Sequence, residues 1–501
     1  MSATELTRHA RERPGHPAFV VAGGDGGTRT YAELEDRSSR LASVLLGAGL
    51  QPDDVVAVVM DNRVEFAEAM WAPLRSGLRV AALNTHLHPA ELQALLRAAA
   101  PRAIITDRPP TGAEHPSCPP HAGRMDVRPS RPLLRISVGS QLESLLAAAA
   151  RLDPAHERAG ARIAYSSGTT GLPKAIAEPL PDRAGDGDAL PPPRLAPLME
   201  LLGIGADSVV LSPGPCYHSA PFGFTSTTQR LGGTAVTSAD RFDPQACLDA
   251  VREHGVTHLH LVPTMLVRLL RLPQDARAAF AAASPLQAVV LGGGACAPQV
   301  KADALEWLGP IVHEYYGASE GYGQTYASPL DAVAHPGTIG RPVSGTIAVT
   351  DPADGSDAPV GVTGRITFGR GGFGDLGHLD EDGFLYLDGR ESQVVISGGV
   401  NVHPQEVEDR LLAHAAVLDA AVFGVPDDEY GERLVALVHL VADTDAHDLP
   451  AELAAHCREQ LAGFKCPRTI LLTDSIPRSA AGKLRVSDAR IHYQEVLACH
   501  R

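Results

Sequence analysis

Short runs of apolar residues alternate along this chain with segments whose apolar residues recur at helical spacing, and this alternation restricts the fold more than any other feature. Val55-Val-Ala-Val-Val59, Val209-Val-Leu211, His258-Leu-His-Leu-Val262 and Ala288-Val-Val-Leu291 read as strands, of the kind buried on both faces in a helix-covered parallel sheet. Tyr31 to Gly47, Glu65 to Gly77, Pro244 to His254 and Thr264 to Arg271 read as helices between them. The alternation predicts a doubly wound α/β sheet. At 501 residues the chain exceeds what one core supports, so more than one domain is expected. The texture changes near residue 389. Pro404 opens a helix with Val407, Leu411 and Leu412 on one face, strands follow over Ala420 to Val425 and Leu434 to Val441, and a helix runs from Pro450 to Leu461. The predicted architecture is α/β: a large N-terminal multi-sheet domain over residues 1–388 and a smaller α+β C-terminal domain over 389–501. Residues 107–132 and 178–193, rich in Pro and Gly, read as long loops.

Composition excludes several classes. A net charge of −16 argues against a general nucleic-acid or anionic-membrane surface, since those need clustered Lys and Arg. No apolar run reaches bilayer length and the N-terminus lacks a signal-peptide core, so a cytoplasmic protein is expected. The 7 cysteines are scattered with no Cys-x-x-Cys pair, which suits reduced thiols. Of the 21 histidines, only His254 and His258 have His-x-x-x-His spacing. Gly255 divides that pair between a helix end and a strand, so solvated or packing roles are the better reading.

Chemistry concentrates in Tyr165-Ser166-Ser167-Gly168-Thr169-Thr170-Gly171-Leu172-Pro173-Lys174, directly after the strand-like Ala161 to Tyr165. Glycines let backbone N–H groups turn toward an anion, hydroxyls add donors, and the lysine supplies a mobile charge for outer phosphates. The spacing is not that of the Walker loop. A Ser/Gly/Thr surface linker would account for the flexibility but not for the lysine closing a polar loop after an apolar strand. Farther on come Pro215-Cys-Tyr-His218, Val262-Pro-Thr-Met265, Gly292-Gly-Gly294, Tyr315-Tyr-Gly317-Ala-Ser-Glu320, Gly374-Asp375-Leu-Gly, Gly389-Arg390, Ser397-Gly-Gly399 and Gly482-Lys483. Each alone has an ordinary explanation. The glycine triplet can be a tight strand-to-helix turn, Gly-Asp-Leu-Gly a turn, Glu320 and Lys483 solvated residues, and His218 a packing residue.

In this order, over nearly the whole chain, the set resembles the adenylate-forming superfamily of acyl- and aryl-CoA synthetases, firefly luciferase and peptide-synthetase adenylation domains. The resemblance implies an enzyme that attacks the α-phosphate of ATP with a small-molecule acid, releases pyrophosphate and passes the acyl group to CoA. It implies that Ser166, Ser167, Gly168, Thr169, Thr170, Gly171 and Lys174 hold ATP phosphates, with Ser319 at the α-phosphate and Mg²⁺ on Glu320 and Thr169. Gly292, Gly293, Gly294, Tyr316 and Gly317 would flank adenine, Asp375 would accept the ribose hydroxyls, and Arg390 would donate beside them. Lys483 would bridge the substrate carboxylate and the α-phosphate, and His218 would gate the acyl pocket. A hinge at Ser392 would then turn the mobile C-terminal domain, replacing Lys483 with the CoA-admitting face Ser397-Gly398-Gly399.

Three positions depart from the family pattern. Ala175 follows Lys174 where glycine is usual, and Ser392 stands in place of the hinge acid or lysine. The segment between Phe368 and Gly374 is only five residues, where the family carries a much longer loop. Thioester formation is therefore less firmly implied than adenylation. Two alternatives stay open on the same fold: activation of nitrite for capture by an aromatic amine, and loading of a carrier protein. A homodimer is also left open.

Overall fold

A computed structural model describes residues 5–499 except 25, 88, 109–132, 167–173, 181–192, 370, 398–399, 428–430, 443, 445, 447 and 480–481. The chain forms two compact units, residues 1–242 and 243–501. The boundary expected near residue 388 therefore falls within the second unit. The predicted alternation of strand and helix appears in both units.

In the first unit a six-stranded sheet runs in the order Leu134–Ser137, Ala103–Thr106, Val55–Val59, Arg79–Ala82, Ala161–Ser166, Lys174–Ala177. All neighbours are parallel except the last pair, where Ser166 lies opposite Lys174. Ser166 and Lys174 are thus held side by side by an antiparallel pairing. A second group places Thr234–Ser238 between Val209–Leu211 and Pro17–Ala22, all parallel, with Gly27–Thr30 antiparallel to Pro17–Ala22. Helix Tyr31–Gly47 begins where the sequence places it because Thr30 and Glu33 form a capping box, satisfying two otherwise orphaned N–H groups. Helix Glu65–Leu74 ends three residues before the expected Gly77. The chain turns there at Gly77 in the left-handed region, φ +74°.

Arg75, just past that helix and 1% exposed, ties the unit together. Its Nη1 and Nη2 each lie 2.9 Å from a carboxylate oxygen of Glu35, and its Nε donates to Glu157 at 3.0 Å. Ser38 Oγ takes a further bond at 2.9 Å. Both acids are buried, so the guanidinium is the counter-charge that makes their burial tolerable.

In the second unit His258–Leu261, Ala288–Leu291 and Val312–Gly317 are parallel neighbours, followed by antiparallel Gln324–Ala327 and Arg341–Ser344. A four-stranded antiparallel sheet follows: Ile347–Thr350, Gly364–Phe368, Gly371–Leu379, Leu385–Arg390. The short segment after Phe368 is here a tight hairpin, with Phe368 opposite Gly371. From Val395 onward, long strands Val417–Asp427 and Gly431–Leu440 pair, Thr469–Leu472 adds parallel to the latter, and helices Pro404–Leu412 and Leu449–Arg458 cover one face. Helix Val486–Cys499, which the sequence reading did not assign, brings Ala489 and Tyr493 to the other face. Among the described residues no helix is long and apolar enough to cross a membrane.

Arg75→Ala leaves buried Glu157 without its cation and Glu35 with only Arg151 at 3.4 Å, and is expected to destabilise the fold by about 3–5 kcal/mol. The check is a lower thermal unfolding midpoint than in the native chain. A midpoint within a degree or so of the native value would show that the acids find other partners.

Candidate active site

The second unit gathers its polar motifs around Asp375, whose partners follow from strand register. Asp375 and Arg390 are cross-strand partners on Gly371–Leu379 and Leu385–Arg390, so the guanidinium Nε reaches Oδ1 at 2.9 Å. Tyr316, near the end of Val312–Gly317, donates its hydroxyl to Oδ2 at 2.7 Å. Asp375 is 6% exposed and ionically paired. A carboxylate offers about four lone-pair sites, so two such bonds leave acceptor capacity for further hydroxyl donors.

The Tyr316 ring is held in an aromatic group that the sequence reading missed. Phe373 meets it edge-on at 5.8 Å, Phe368 lies 6.1 Å away, and Phe373 stacks on Tyr322 at 5.6 Å and 14°. Phe373 is in the tight hairpin, so the shortened segment supplies the packing beneath Tyr316. Burial, and then the Asp375 charge, push the Tyr316 phenol well above its ordinary pKa, so it stays a hydrogen-bond donor at all working pH.

Lys483 belongs to the same neighbourhood. Its side chain keeps solvent contact, yet the protein surrounding it lowers its pKa, and the Arg390 charge lowers it further, while the Asp375 and Glu320 carboxylates act in the opposite sense. Gly482 sets its approach. At φ +75° a Cβ there would lie 2.6 Å from Thr264 Oγ1 and 3.3 Å from Val262 Cγ2. Gly293, at φ +84°, comes equally near Val262. Three separately read motifs, Val262-Pro-Thr, the glycine triplet and Gly482-Lys483, therefore converge. Gly292 faces differently, since a Cβ on it would overlap the Tyr315 ring, so its smallness serves packing.

Glu320 is close enough for its charge to act on Lys483; the remaining predicted residues lie elsewhere in the chain or outside the described residues. Ser319 and Glu320 occupy the turn after Val312–Gly317 and are half-buried, and Gly317 closes that strand. Ser392 lies in a one-turn 3₁₀ segment, Glu391–Gln393, and its neighbour Glu391 forms a bidentate ion pair with Arg365, the shorter contact being 2.6 Å. The backbone of Ser397 pairs with Val400 and Gly431. Ser167, Gly168, Thr169, Thr170, Gly171, Gly398 and Gly399 lie outside the described residues.

In the first unit His218 is the N-cap residue of helix Ser219–Leu231, with its ring 4.6 Å from that of Tyr217. Tyr217 in turn approaches His86 Nδ1 at 3.2 Å. The loop before the helix is pinned by Asn62, which the sequence reading also missed. Its Oδ1 accepts from Cys216 N at 2.8 Å, and its Nδ2 donates to Thr237 Oγ1 and Ser238 O, both at 2.8 Å. The available signal was an amide placed just beyond the carboxyl end of parallel strand Val55–Val59, where such sheets carry their sites.

Among the described residues no three His, Cys, Asp or Glu side chains converge as a metal cage. A lone carboxylate such as Glu320 fits Mg²⁺, which keeps several waters and binds through one or two carboxylates plus substrate phosphates.

The chain matches the AMP-binding enzyme model over residues 6–373 and the AMP-binding enzyme C-terminal domain model over 406–483, and it belongs to the AMP-binding enzyme family. It is 29% identical to sulfoacetate–CoA ligase of Cupriavidus necator, covering 96% of each chain. It is 30% identical to 2-succinylbenzoate–CoA ligase of Geobacillus kaustophilus, covering 91% of each. The solved structure of o-succinylbenzoate coenzyme A synthetase from Bacillus subtilis in complex with ATP and magnesium ion is similar with a TM-score of 0.77 at 27% identity, covering 97% of this chain and 99% of that one. The mixed α/β class read from the sequence is the class of these structures.

Gly482→Ala combines left-handed strain with a clash on Thr264, and strain of this kind costs of order 1–3 kcal/mol. Adenylation is expected to fall by about tenfold or more while the unfolding midpoint holds, as measured by pyrophosphate release beside a melting curve. Full activity would show that Lys483 does not approach by this route.

Proposed function

We propose that this enzyme activates a small-molecule carboxylate with ATP, forming an acyl-adenylate and pyrophosphate, and then transfers the acyl group to CoA. The observation that carries the reading is the grouping of Lys483 with Glu320, Asp375 and Arg390, residues far apart in the chain. Asp375, steadied by Tyr316 and Arg390, accepts the ribose hydroxyls. Lys483 holds the attacking carboxylate against the α-phosphate and offsets the charge that builds there, which is where a preorganised cation lowers a barrier. Ser319 donates to the same phosphate, and Ser166, the 167–173 segment and Lys174 take the outer phosphates. Tyr316, Gly317 and the 292–294 glycines flank adenine. Glu320 with Thr169 would hold Mg²⁺, which would supply charge neutralisation at the phosphates. His218 borders the acid.

Transfer to CoA is the second step in this reading because the relatives reported above are CoA ligases. It calls for a domain beginning near residue 389 to turn about Ser392 and present Ser397-Gly398-Gly399. The Glu391–Arg365 pair lies beside that pivot, exposed and therefore cheap to break.

Lys483→Ala is expected to lower pyrophosphate release by about 10²–10³-fold with ATP binding retained. Near-native release would remove Lys483 from the chemistry. The lowered Lys483 pKa adds a sign: as pH rises, the ammonium is lost below the ordinary lysine range, so the alkaline limb of the rate falls early. Lys483→Arg, which stays charged, should carry that limb to higher pH even at reduced rate.

A further inference from the structure

We propose that Arg478, anchored by Asp419, is a positioning residue for adenylation: it fixes the Gly482–Lys483 peptide and so sets where the Lys483 ammonium stands. The proposal rests on the assignment of Lys483 to the attacking carboxylate above. Asp419 lies on strand Val417–Asp427, beside the fully buried Ala420. Arg478 comes 59 residues later and forms a bidentate pair with it, Nε to Oδ2 at 2.7 Å and Nη2 to Oδ1 at 2.6 Å. Nη2 also donates to Ala420 O at 3.0 Å. The two side chains are 19% and 20% exposed, so water competes little for the pair. Charge-assisted bidentate bonds of this kind combine strength with a fixed direction.

That direction leaves one guanidinium nitrogen for the turn that carries Lys483. Nη1 donates to Gly482 O at 3.2 Å. The same peptide unit is held at its other end, where Lys483 N donates to Ser479 Oγ at 3.1 Å. A peptide is planar, so holding both its oxygen and its nitrogen fixes the plane from which Lys483 extends.

Backbone bonds order the turn within itself. Ser479 N donates to Lys483 O and Gly482 N to Ser479 O, each at 2.8 Å, and Arg478 and Leu484 are bridge partners. None of these bonds ties the turn to the sheet. The guanidinium does, because it grips Asp419 and Ala420 on the strand with two nitrogens and Gly482 with the third. Without that link the turn pivots as a unit and carries Lys483 with it. A misplacement of about 1 Å at a reacting group can cost on the order of 10²-fold in rate, so the link acts on the chemical step.

The test uses the full-length enzyme with Arg478→Gln, Arg478→Lys and Lys483→Ala, each Arg478 change being made also in the Lys483→Ala background. Adenylation is read as pyrophosphate release, with ATP and whichever acid the native enzyme activates fastest in a panel of aryl and aliphatic carboxylates. Order in the turn is read as hydrogen exchange at the Gly482 and Lys483 amides. Arg478→Gln should lower kcat by about 10²-fold with KM for ATP held. Its Gly482 and Lys483 amides should exchange about tenfold faster while those of Val417–Asp427 keep native protection. In the Lys483→Ala background either change should alter the rate by less than about twofold, because a residue acting through Lys483 has nothing left to position. Arg478→Lys keeps a charge for Asp419 without the planar fork, and should hold the native melting midpoint yet stay about tenfold slow. Equal losses in the two backgrounds overturn the proposal. So does native exchange at Gly482 and Lys483 in Arg478→Gln, or full activity in Arg478→Lys, which would make the pair a stabilising one alone. Near-native release by Lys483→Ala would overturn the Lys483 assignment and the proposal with it, whereas the preceding outcomes overturn the proposal and leave that assignment standing.

Discussion

Asp375 is the charge around which the second unit's polar residues are arranged. Its carboxylate joins three strands, taking the Tyr316 hydroxyl from one side and the Arg390 guanidinium from the other. Without it the Tyr316 hydroxyl would be left half-buried without this acceptor, and Arg390 would add uncompensated positive charge beside Lys483. Both partners leave lone pairs on Asp375 available. An acceptor already oriented by fixed donors loses little on meeting two more hydroxyls, which is what preorganisation means for binding.

The same neighbourhood shows how close approach is achieved without a deep core. Gly482 and Gly293 both adopt left-handed backbone and both come near Val262, so two chain segments converge on one short stretch of a third. A lysine on such a loop owes its position to backbone and steric fit, with the surrounding charges setting its protonation. The first unit uses the opposite device. Arg75 is fully enclosed and its acids are fixed to it, an arrangement suited to rigidity.

Much of this was legible in the sequence where a local signal existed. Tyr31–Gly47 and Val55–Val59 match their expected bounds because a capping box and an unbroken β-branched run are local instructions. The ordered motifs likewise named Tyr316, Asp375, Arg390 and Lys483. What lay hidden depends on distant partners. The Tyr316–Asp375 bond spans 59 residues, and the role of Asn62 appears only once strand Thr234–Ser238 and the loop at Cys216 are near it. Gly364–Phe368 alternates in burial and was legible as a strand, whereas Gly371–Leu379 is rich in glycine and carries little apolar periodicity. Helix Val486–Cys499 mixes polar and apolar residues almost evenly around its axis, so its buried side is set by the sheet it meets.

The tight hairpin at Phe368–Gly371 also bears on how the unit is assembled. With no long excursion there, the sheet from Ile347 to Arg390 is a simple meander in which every strand pairs with its immediate successor. Closing such short loops costs little chain entropy, and contacts local in sequence form fast. Asp375 and Arg390 therefore face each other by a pairing that needs only one meander. Lys483, nearly a hundred residues later in the sequence, joins an acceptor whose geometry is set by local pairing rather than by its own arrival.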